Sequence, residues 1–282
     1  MENLAFIDIG ELGWSMYVAA HVRWYKEKTD KRIAVMTYPD RRCLYEGLAD
    51  VVMSLPDIFY TNVDVRRQNC LGIKKVMPNV LKNLLSHYLT DGYYMPDYFI
   101  LSCKPKFWDK LIFKPYRYSK KIDGPAEIMV FPRQRTGGWY SVRNLPKEFY
   151  VRLIERLCAE FPELLVRTIG TANAACDINM DRPNYVNWVG KSGSLQDMID
   201  RCQKAVAAVG SQSGPPKITL LQGVPTFMIG HQRRRHMVNE NWSKTRVEFI
   251  EVNDENYANF DKENCIERIV DFVRMAEKEI SR

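Results

Sequence analysis

The sequence lacks the features that mark several large classes of protein. None of its apolar runs approaches the roughly 20 residues that a helix needs to cross a bilayer. Its first residues carry no basic stretch of the kind that precedes the apolar part of a signal peptide. The seven cysteines show no Cys-x-x-Cys spacing. Together these absences predict a cytoplasmic protein with reduced thiols rather than a disulfide framework.

Motifs of several common enzyme classes are also missing. The chain has no P-loop, no Gly-x-Gly-x-x-Gly and no Gly-x-Ser-x-Gly, which argues against P-loop kinases, nicotinamide dehydrogenases and serine hydrolases. It has no Asp-x-Asp pair, and His231 and His236 lie five residues apart beside arginines, a poor spacing for zinc. We therefore expect a protein that uses no metal ion.

The residues that are present predict an α/β protein with parallel sheets. Short apolar runs alternate with segments of helical periodicity along the 282 residues, and 46% of the residues are hydrophobic. The length suits two domains. We predict an N-terminal Rossmann-like domain over 1–122, a second over 123–262, and a final helix over 263–282 that packs back on the N-terminal domain. Residues 60–121 stay unassigned.

The most informative stretch is 209–230. An apolar strand ends at Val209, a turn of small residues and about two turns of helix follow, and a second strand runs to Ile229. Ser211, Ser213 and Gly214 place hydroxyl and N–H groups at the N-terminus of that helix, where anions bind. This predicts a phosphate-bearing ligand at the carboxyl end of a parallel sheet.

Ten residues of the second half match a known pattern, although Gly190 lies one residue farther from Ser194 than the pattern has: Gly190, Ser194, Leu195, Ser213, Gly214, Pro215, Ile218, Gly223, Pro225 and Thr226. They resemble the Gly-x-x-Ser-Leu and Asp-Ser-Gly-Pro-x-His motifs, with the following Gly-x-Pro-Thr, of family 9 glycosyltransferases, the heptosyltransferase-like enzymes. The run 142–149 resembles that family's Lys-x-Trp-Pro-x-Glu-x-Phe, with Arg143 in place of the lysine. Gly10 and Glu11 resemble its N-terminal loop, which carries an acid beside the acceptor.

The resemblance covers most of residues 126–230 and only loosely the N-terminal half. It implies the α/β GT-B architecture, two Rossmann-like domains facing across a cleft, with the nucleotide sugar as co-substrate and no other cofactor. Gln212 and Lys217 replace the aspartate and histidine of the pattern, so the family's usual sugar is not implied.

The predicted donor site follows from the charge of a nucleotide diphosphate. Departure of the sugar increases the negative charge on the leaving phosphate, and arginines and helix N-termini stabilise such charge. We expect the diphosphate at Arg133, Arg135, Arg143, Ser211, Ser213, Gly214, Lys217 and Arg233. Thr168 and Gly170, with Gly190 of the pattern, are expected near the base or ribose. The alternative is that the arginines are solvated and that Thr168 and Gly170 form a plain turn.

The predicted catalytic base is Glu11, flanked by Gly10 and Gly13 after the first strand. An inverting sugar transfer needs a carboxylate that removes the proton of the acceptor hydroxyl, and nearby glycines allow a close approach of the backbone. The alternative is an acid that only favours the start of a helix. Asp8 is the second candidate for the base.

Two basic stretches bear on the acceptor. Seven Lys and Arg residues lie among aromatic residues between Lys104 and Lys121, and three arginines lie between His231 and His236. With the net charge of +7, they suit the phosphates and bases of nucleic acid, or a solvated linker.

The sequence thus predicts a metal-independent, inverting glycosyltransferase that acts either on a modified base in DNA, as some viral enzymes do in the host cytoplasm, or on a saccharide or lipid-linked glycan. A non-catalytic nucleotide or nucleic-acid binder and a pyruvyltransferase stay open as alternatives.

Overall fold

The computed structural model describes residues 3–8, 12–54, 93–94, 111–135, 144–191, 193–230, 244–252 and 260–280. Its contacts divide the chain into two compact units, Met1–Lys114 and Pro115–Arg282. The division falls eight residues before the domain boundary expected from the sequence, so the segment that leads into the second sheet belongs to the second unit.

The first unit is built around a parallel sheet. Its elements are β1 (Asn3–Asp8), α1 (Leu12–Lys28), β2 (Ile33–Thr37), a 3₁₀ helix (Pro39–Leu44), β3 (Val51–Ser54) and β4 (Tyr93–Tyr94). The strand order is β3–β2–β1–β4, and each pair is parallel. Every residue of β2 is buried, as expected for a parallel strand that is covered on both faces.

The second unit holds a six-stranded parallel sheet. Its strands are β5 (Glu127–Phe131), β6 (Leu165–Gly170), β7 (Tyr185–Val189), β8 (Ala205–Ser211), β9 (Thr226–Gly230) and β10 (Val247–Glu251). Its helices are α2 (Lys147–Glu160), α3 (Leu195–Arg201), α4 (Gly214–Leu221) and α5 (Lys262–Ile280), with a 3₁₀ turn at Cys202–Lys204.

The strand order of this sheet is β10–β9–β8–β5–β6–β7. Numbered within the unit, this is 6-5-4-1-2-3, the doubly wound order of a Rossmann fold. The order reverses between β5 and β8, which pair directly up to Phe131 and Gly210. In open α/β sheets ligands bind at the carboxyl ends of the strands at such a reversal, so we call this edge the switch point.

One face of the sheet carries the main core. Buried residues of β5, β6, β8 and β9 pack there with α2 and α5, and the rings of Phe227 and Phe272 meet edge to face at 5.5 Å. The buried side of α5 runs from Cys265 to Ala276 and belongs to this cluster. The final helix is therefore part of the core of the second unit, whereas the sequence led us to expect it against the N-terminal domain.

Candidate functional site

The close packing of α4 against the strand ends at the switch point requires a glycine at position 210. A Cβ at Gly210 would lie 2.9 Å from the Cβ of Phe131 and 3.0 Å from Cγ of Pro216. The first distance is shorter than real Cβ contacts show, and the second is tighter than nine in ten of them. The absence of a side chain lets the first turn of α4 sit directly on the ends of β5 and β8, as glycine does wherever backbone segments approach closely.

The N-terminus of α4 is a weaker hydrogen-bond donor than its sequence suggested. Ser213 caps the helix with extended backbone but makes no side-chain capping bond. Pro215 and Pro216 have no N–H, so of the first three helical residues Gly214 alone offers this donor. Lys217, only 5% exposed, lies in the same turn. A lysine beside the positive end of a helix dipole favours an anionic ligand at this edge.

Arg133 occupies the other side of the switch point, two residues after β5. It is 5% exposed, and its backbone forms an antiparallel bridge with Ala175 in the segment after β6. Its guanidinium donates a hydrogen bond to Oδ1 of Asn144. That same oxygen accepts the N–H of Arg135 at 3.0 Å, and Nδ2 of Asn144 donates to the Arg135 carbonyl at 2.7 Å. Asn144 thus fixes the arginine segment, a function that no local sequence signal indicates.

Beneath Arg133 lie two buried hydroxyls, those of Tyr150 in the first turn of α2 and Ser211 at the end of β8. Both residues are 0% exposed. Neither hydroxyl makes a hydrogen bond of normal geometry with the residues that the structure describes. Burial raises the pKa of the Tyr150 phenol, and nearby Ser211 and Arg133 act in the opposite direction. The phenol is therefore neutral and able to donate a proton.

The residues predicted near the base or ribose have other tasks in the fold. Thr168 is buried, and its hydroxyl lies 3.0 Å from the Tyr185 hydroxyl and 3.1 Å from Oδ1 of Asn187. A Cβ at Gly170 would come within 2.3 Å of the Ala175 Cβ. Gly190 has a φ of +70° and donates its N–H to the Gly170 carbonyl at 2.9 Å. All three residues thus have contacts within the fold, and their place near the base or ribose stays a prediction.

In the first unit the structure describes Asp8 but not Glu11. Asp8 is fully buried and accepts hydrogen bonds from the hydroxyls of Ser15 at 3.0 Å, Thr37 at 2.9 Å and Tyr45 at 2.8 Å. The guanidinium of Arg41 lies 3.8 Å away and also donates to Ser15. These four contacts tie the Asp8 carboxyl group into the fold, which favours a structural role for Asp8 over that of the base.

Four of the predicted site residues, Gly10, Glu11, Arg143 and Arg233, lie outside the described residues. Gly13 is the second residue of α1. The structure thus brings Arg133, Ser211, Ser213, Gly214 and Lys217 together at the switch point, with Arg135 two residues beyond Arg133.

The described part of the first basic stretch serves the fold. Lys114 pairs with Glu27, and Lys120 with Asp197 at 2.7 Å. The backbone of Tyr116 exchanges two hydrogen bonds with the Gln222 side chain. Lys114 and Lys120 are thus engaged in ion pairs within their own units, which favours the structural interpretation for these two residues.

The described parts of the chain contain no helix that is both long and apolar enough to cross a membrane. No three of their His, Cys, Asp or Glu side chains are grouped to hold a metal ion. Independence from metal stays a prediction.

Two α/β units with parallel sheets, the second in Rossmann order, are the construction of the GT-B glycosyltransferases, and solved structures confirm this fold class. No protein-family model matches the sequence, and no curated protein matches it significantly.

The similarity therefore lies in structure. The Escherichia coli ADP-heptose lipopolysaccharide heptosyltransferase II is 13% identical, with a TM-score of 0.62 over 98% of this chain and 100% of that one. A family 9 glycosyltransferase of Veillonella parvula is 9% identical, with a TM-score of 0.63 over 97% of each chain. The Escherichia coli heptosyltransferase WaaC with ADP is 8% identical, with a TM-score of 0.58 over 96% of this chain and 99% of that one. The chain is similar in fold to these enzymes.

Proposed function

We propose that the protein is an inverting, metal-independent glycosyltransferase that moves a sugar from a nucleoside diphosphate to an acceptor hydroxyl. The observation that supports this most is the composition of the switch point. Arg133 on one side and Ser213, Gly214 and Lys217 on the other surround the position where doubly wound sheets bind ligands. Two buried cations and a helix N-terminus suit a diphosphate better than any neutral ligand.

In the proposed reaction the acceptor oxygen attacks the anomeric carbon of the donor sugar from the side opposite the phosphate. The carboxylate of Glu11 takes the proton of the acceptor hydroxyl. The bond between the anomeric carbon and the phosphate oxygen breaks, and its electron pair stays on that oxygen. Arg133 and Lys217 stabilise the charge that develops on the leaving diphosphate, the part that a metal ion has in other transferases.

For the donor nucleotide we propose ADP. Of the similar structures, one is an ADP-heptose heptosyltransferase and another is a heptosyltransferase with ADP. For the acceptor we propose a saccharide or lipid-linked glycan. The alternative acceptor, a modified base in DNA, rests on the two basic stretches, and the described part of the first is engaged in ion pairs and packing.

The test is a binding and turnover panel of ADP-, UDP-, GDP-, CMP- and TDP-sugars, each measured with and without duplex DNA. We expect one nucleotide sugar to raise the melting temperature, since a ligand that binds only the folded state stabilises it. Glu11→Gln should keep donor affinity and lose at least about a hundredfold in turnover, the low end of general-base effects. EDTA should leave turnover of the wild type unchanged.

Other outcomes would point elsewhere. Turnover that requires DNA would replace the saccharide acceptor by a DNA base. Binding of a nucleotide sugar without any turnover, and with Glu11→Gln indistinguishable from the wild type, would indicate a binding protein. Stabilisation by phosphoenolpyruvate and by no nucleotide sugar would indicate pyruvyl transfer and overturn the proposal.

A further inference from the structure

The hydroxyls of Tyr150 and Ser211, which we call the hydroxyl pair, are an exception within this fold. Other buried hydroxyls in the described ranges have partners inside the protein. Tyr185 donates to the Ile178 carbonyl at 2.7 Å, and Thr219 to the Pro216 carbonyl at 2.8 Å. The hydroxyl pair has no such bond with any described residue. A buried hydroxyl without a hydrogen-bond partner lowers the stability of the folded state, so its presence here needs an explanation.

The place of the hydroxyl pair supplies one. Ser211 is the last residue of β8, two residues before the N-cap of α4. Tyr150 is the fourth residue of α2 and belongs to the core cluster on that face of the sheet. Arg133, which follows β5, lies close enough to the Tyr150 phenol to oppose the rise in its pKa that burial causes. The pair thus lies directly below the switch point.

We propose that Tyr150 is a positioning residue of the anion site at the switch point: when the diphosphate binds, the neighbouring Ser211 hydroxyl turns to donate to one of its oxygens, and the Tyr150 hydroxyl donates to Ser211. The inference deepens the proposed function and rests on it for the identity of the ligand. Each hydroxyl has one proton to give and can accept another, so an anion at the end of this chain orients both. Such chains strengthen their members cooperatively in a buried site.

The experiment compares Tyr150→Phe with Tyr185→Phe, each of which removes one buried phenol oxygen. Affinity for ADP and for inorganic pyrophosphate is measured by calorimetry, together with the melting temperature. For Tyr150→Phe we expect affinity to fall about fivefold, the worth of one hydrogen bond between neutral groups, since Tyr150 reaches the anion only through Ser211, at an unchanged melting temperature. For Tyr185→Phe we expect the reverse, since its hydroxyl bonds to Ile178 within the fold.

A double-mutant cycle with Ser211→Ala tests the order of the chain. If Tyr150 acts through Ser211, the double variant should bind no more weakly than Ser211→Ala alone. Ser211→Thr, which keeps a hydroxyl, should retain most of the affinity. Additive losses in the double variant would overturn the chain.

The failures of the two proposals are distinguishable. If the wild type binds pyrophosphate but no nucleoside diphosphate, and Tyr150→Phe weakens pyrophosphate binding, the nucleotide proposal fails and the hydroxyl chain stands. If the wild type binds ADP and Tyr150→Phe binds it equally well, the hydroxyl chain fails and the nucleotide proposal stands. A lower melting temperature of Tyr150→Phe with unchanged affinity would assign the phenol to packing alone.

Discussion

Two buried polar clusters lie at the carboxyl ends of strands, one in each unit, and they differ in how they are satisfied. Around Asp8 in the first unit, three hydroxyls and a guanidinium converge on one carboxylate. Around Arg133 in the second unit, Asn144 accepts a hydrogen bond from the guanidinium. The hydroxyls of Tyr150 and Ser211 make no hydrogen bond of normal geometry with a described residue. The first cluster is closed by the fold, and the second is left open.

This difference teaches how to separate structural from functional polar residues. Both clusters consist of residue types that bind ligands, and both lie where ligands bind in α/β proteins. The two clusters differ only in whether their polar groups have hydrogen-bond partners within the fold. A closed cluster contributes stability and resists change, whereas an open one gives up stability and gains from a ligand. The variants that follow test this contrast, from the largest expected effect to the smallest.

The largest effect is expected at the closed cluster. Asp8→Asn keeps the shape of the side chain but removes the charge opposite Arg41 and turns one acceptor into a donor facing hydroxyls. The free energy of unfolding of the first unit should fall by about 3 kcal/mol, as when one partner of a buried ion pair is lost. Hydrogen exchange of the amides in β1 and β2 measures this locally.

The matched variant at the open cluster is Ser211→Ala. Because the Ser211 hydroxyl has no bond to lose among the described residues, the unfolding free energy of the ligand-free protein should change by less than about 0.5 kcal/mol. If Ser211→Ala destabilised its unit as much as Asp8→Asn does its own, the contrast between closed and open clusters would be wrong.

A second effect concerns the backbone that holds the open cluster together. Gly210→Ala should lower the unfolding free energy of the second unit by about 2 kcal/mol, because the new methyl group meets Phe131 and Pro216, neither of which can move freely. Urea denaturation measures the loss. A Cβ in the control Gly223→Ala would make only an ordinary contact, with Oγ1 of Thr245 at 3.9 Å, but the residue has a φ of +86°, so its smaller cost of about 1 kcal/mol should come from backbone strain alone. Equal effects of both variants, or a harmless Gly210→Ala, would contradict the close contact at the switch point.

Much of the second sheet could be predicted from the sequence. The predicted strand that ends at Val209 is observed at Ala205–Ser211, and the one predicted to run to Ile229 is observed at Thr226–Gly230. Continuous apolar runs mark such strands because both of their faces are buried. The turn of small residues before α4 was equally readable, since its sequence carries the capping and glycine signals of a helix start.

The partners of the polar residues could not be predicted. Asn144, Tyr150 and Tyr45 acquire their tasks from contacts that only the folded chain creates, such as the 37 residues that separate Tyr45 from Asp8. Nor did the strand-end positions of Thr168 and Gly170 indicate their contacts with Asn187 and Ala175, and their place near a ligand stays a prediction. A local pattern shows where a strand ends, but it does not show what closes over that end.

A further effect, smaller than those of Asp8→Asn and Gly210→Ala, is a pH dependence confined to the first unit. Burial lowers the pKa of His21 below its ordinary value of 6.5, against the opposing effect of its hydrogen bond with the Tyr17 carbonyl. The unfolded chain therefore takes up a proton near pH 6.5 that the folded chain refuses, so this contribution to stability is complete above that pH and is lost as the pH falls towards the lower folded value. Between pH 7.5 and 5.5 we expect a loss of about 1 kcal/mol in hydrogen exchange of α1, β1 and β2. His21→Gln should flatten this dependence. An equal loss in β8 and β9 of the second unit, where the described residues include no histidine, would show that the acid sensitivity arises elsewhere than at His21.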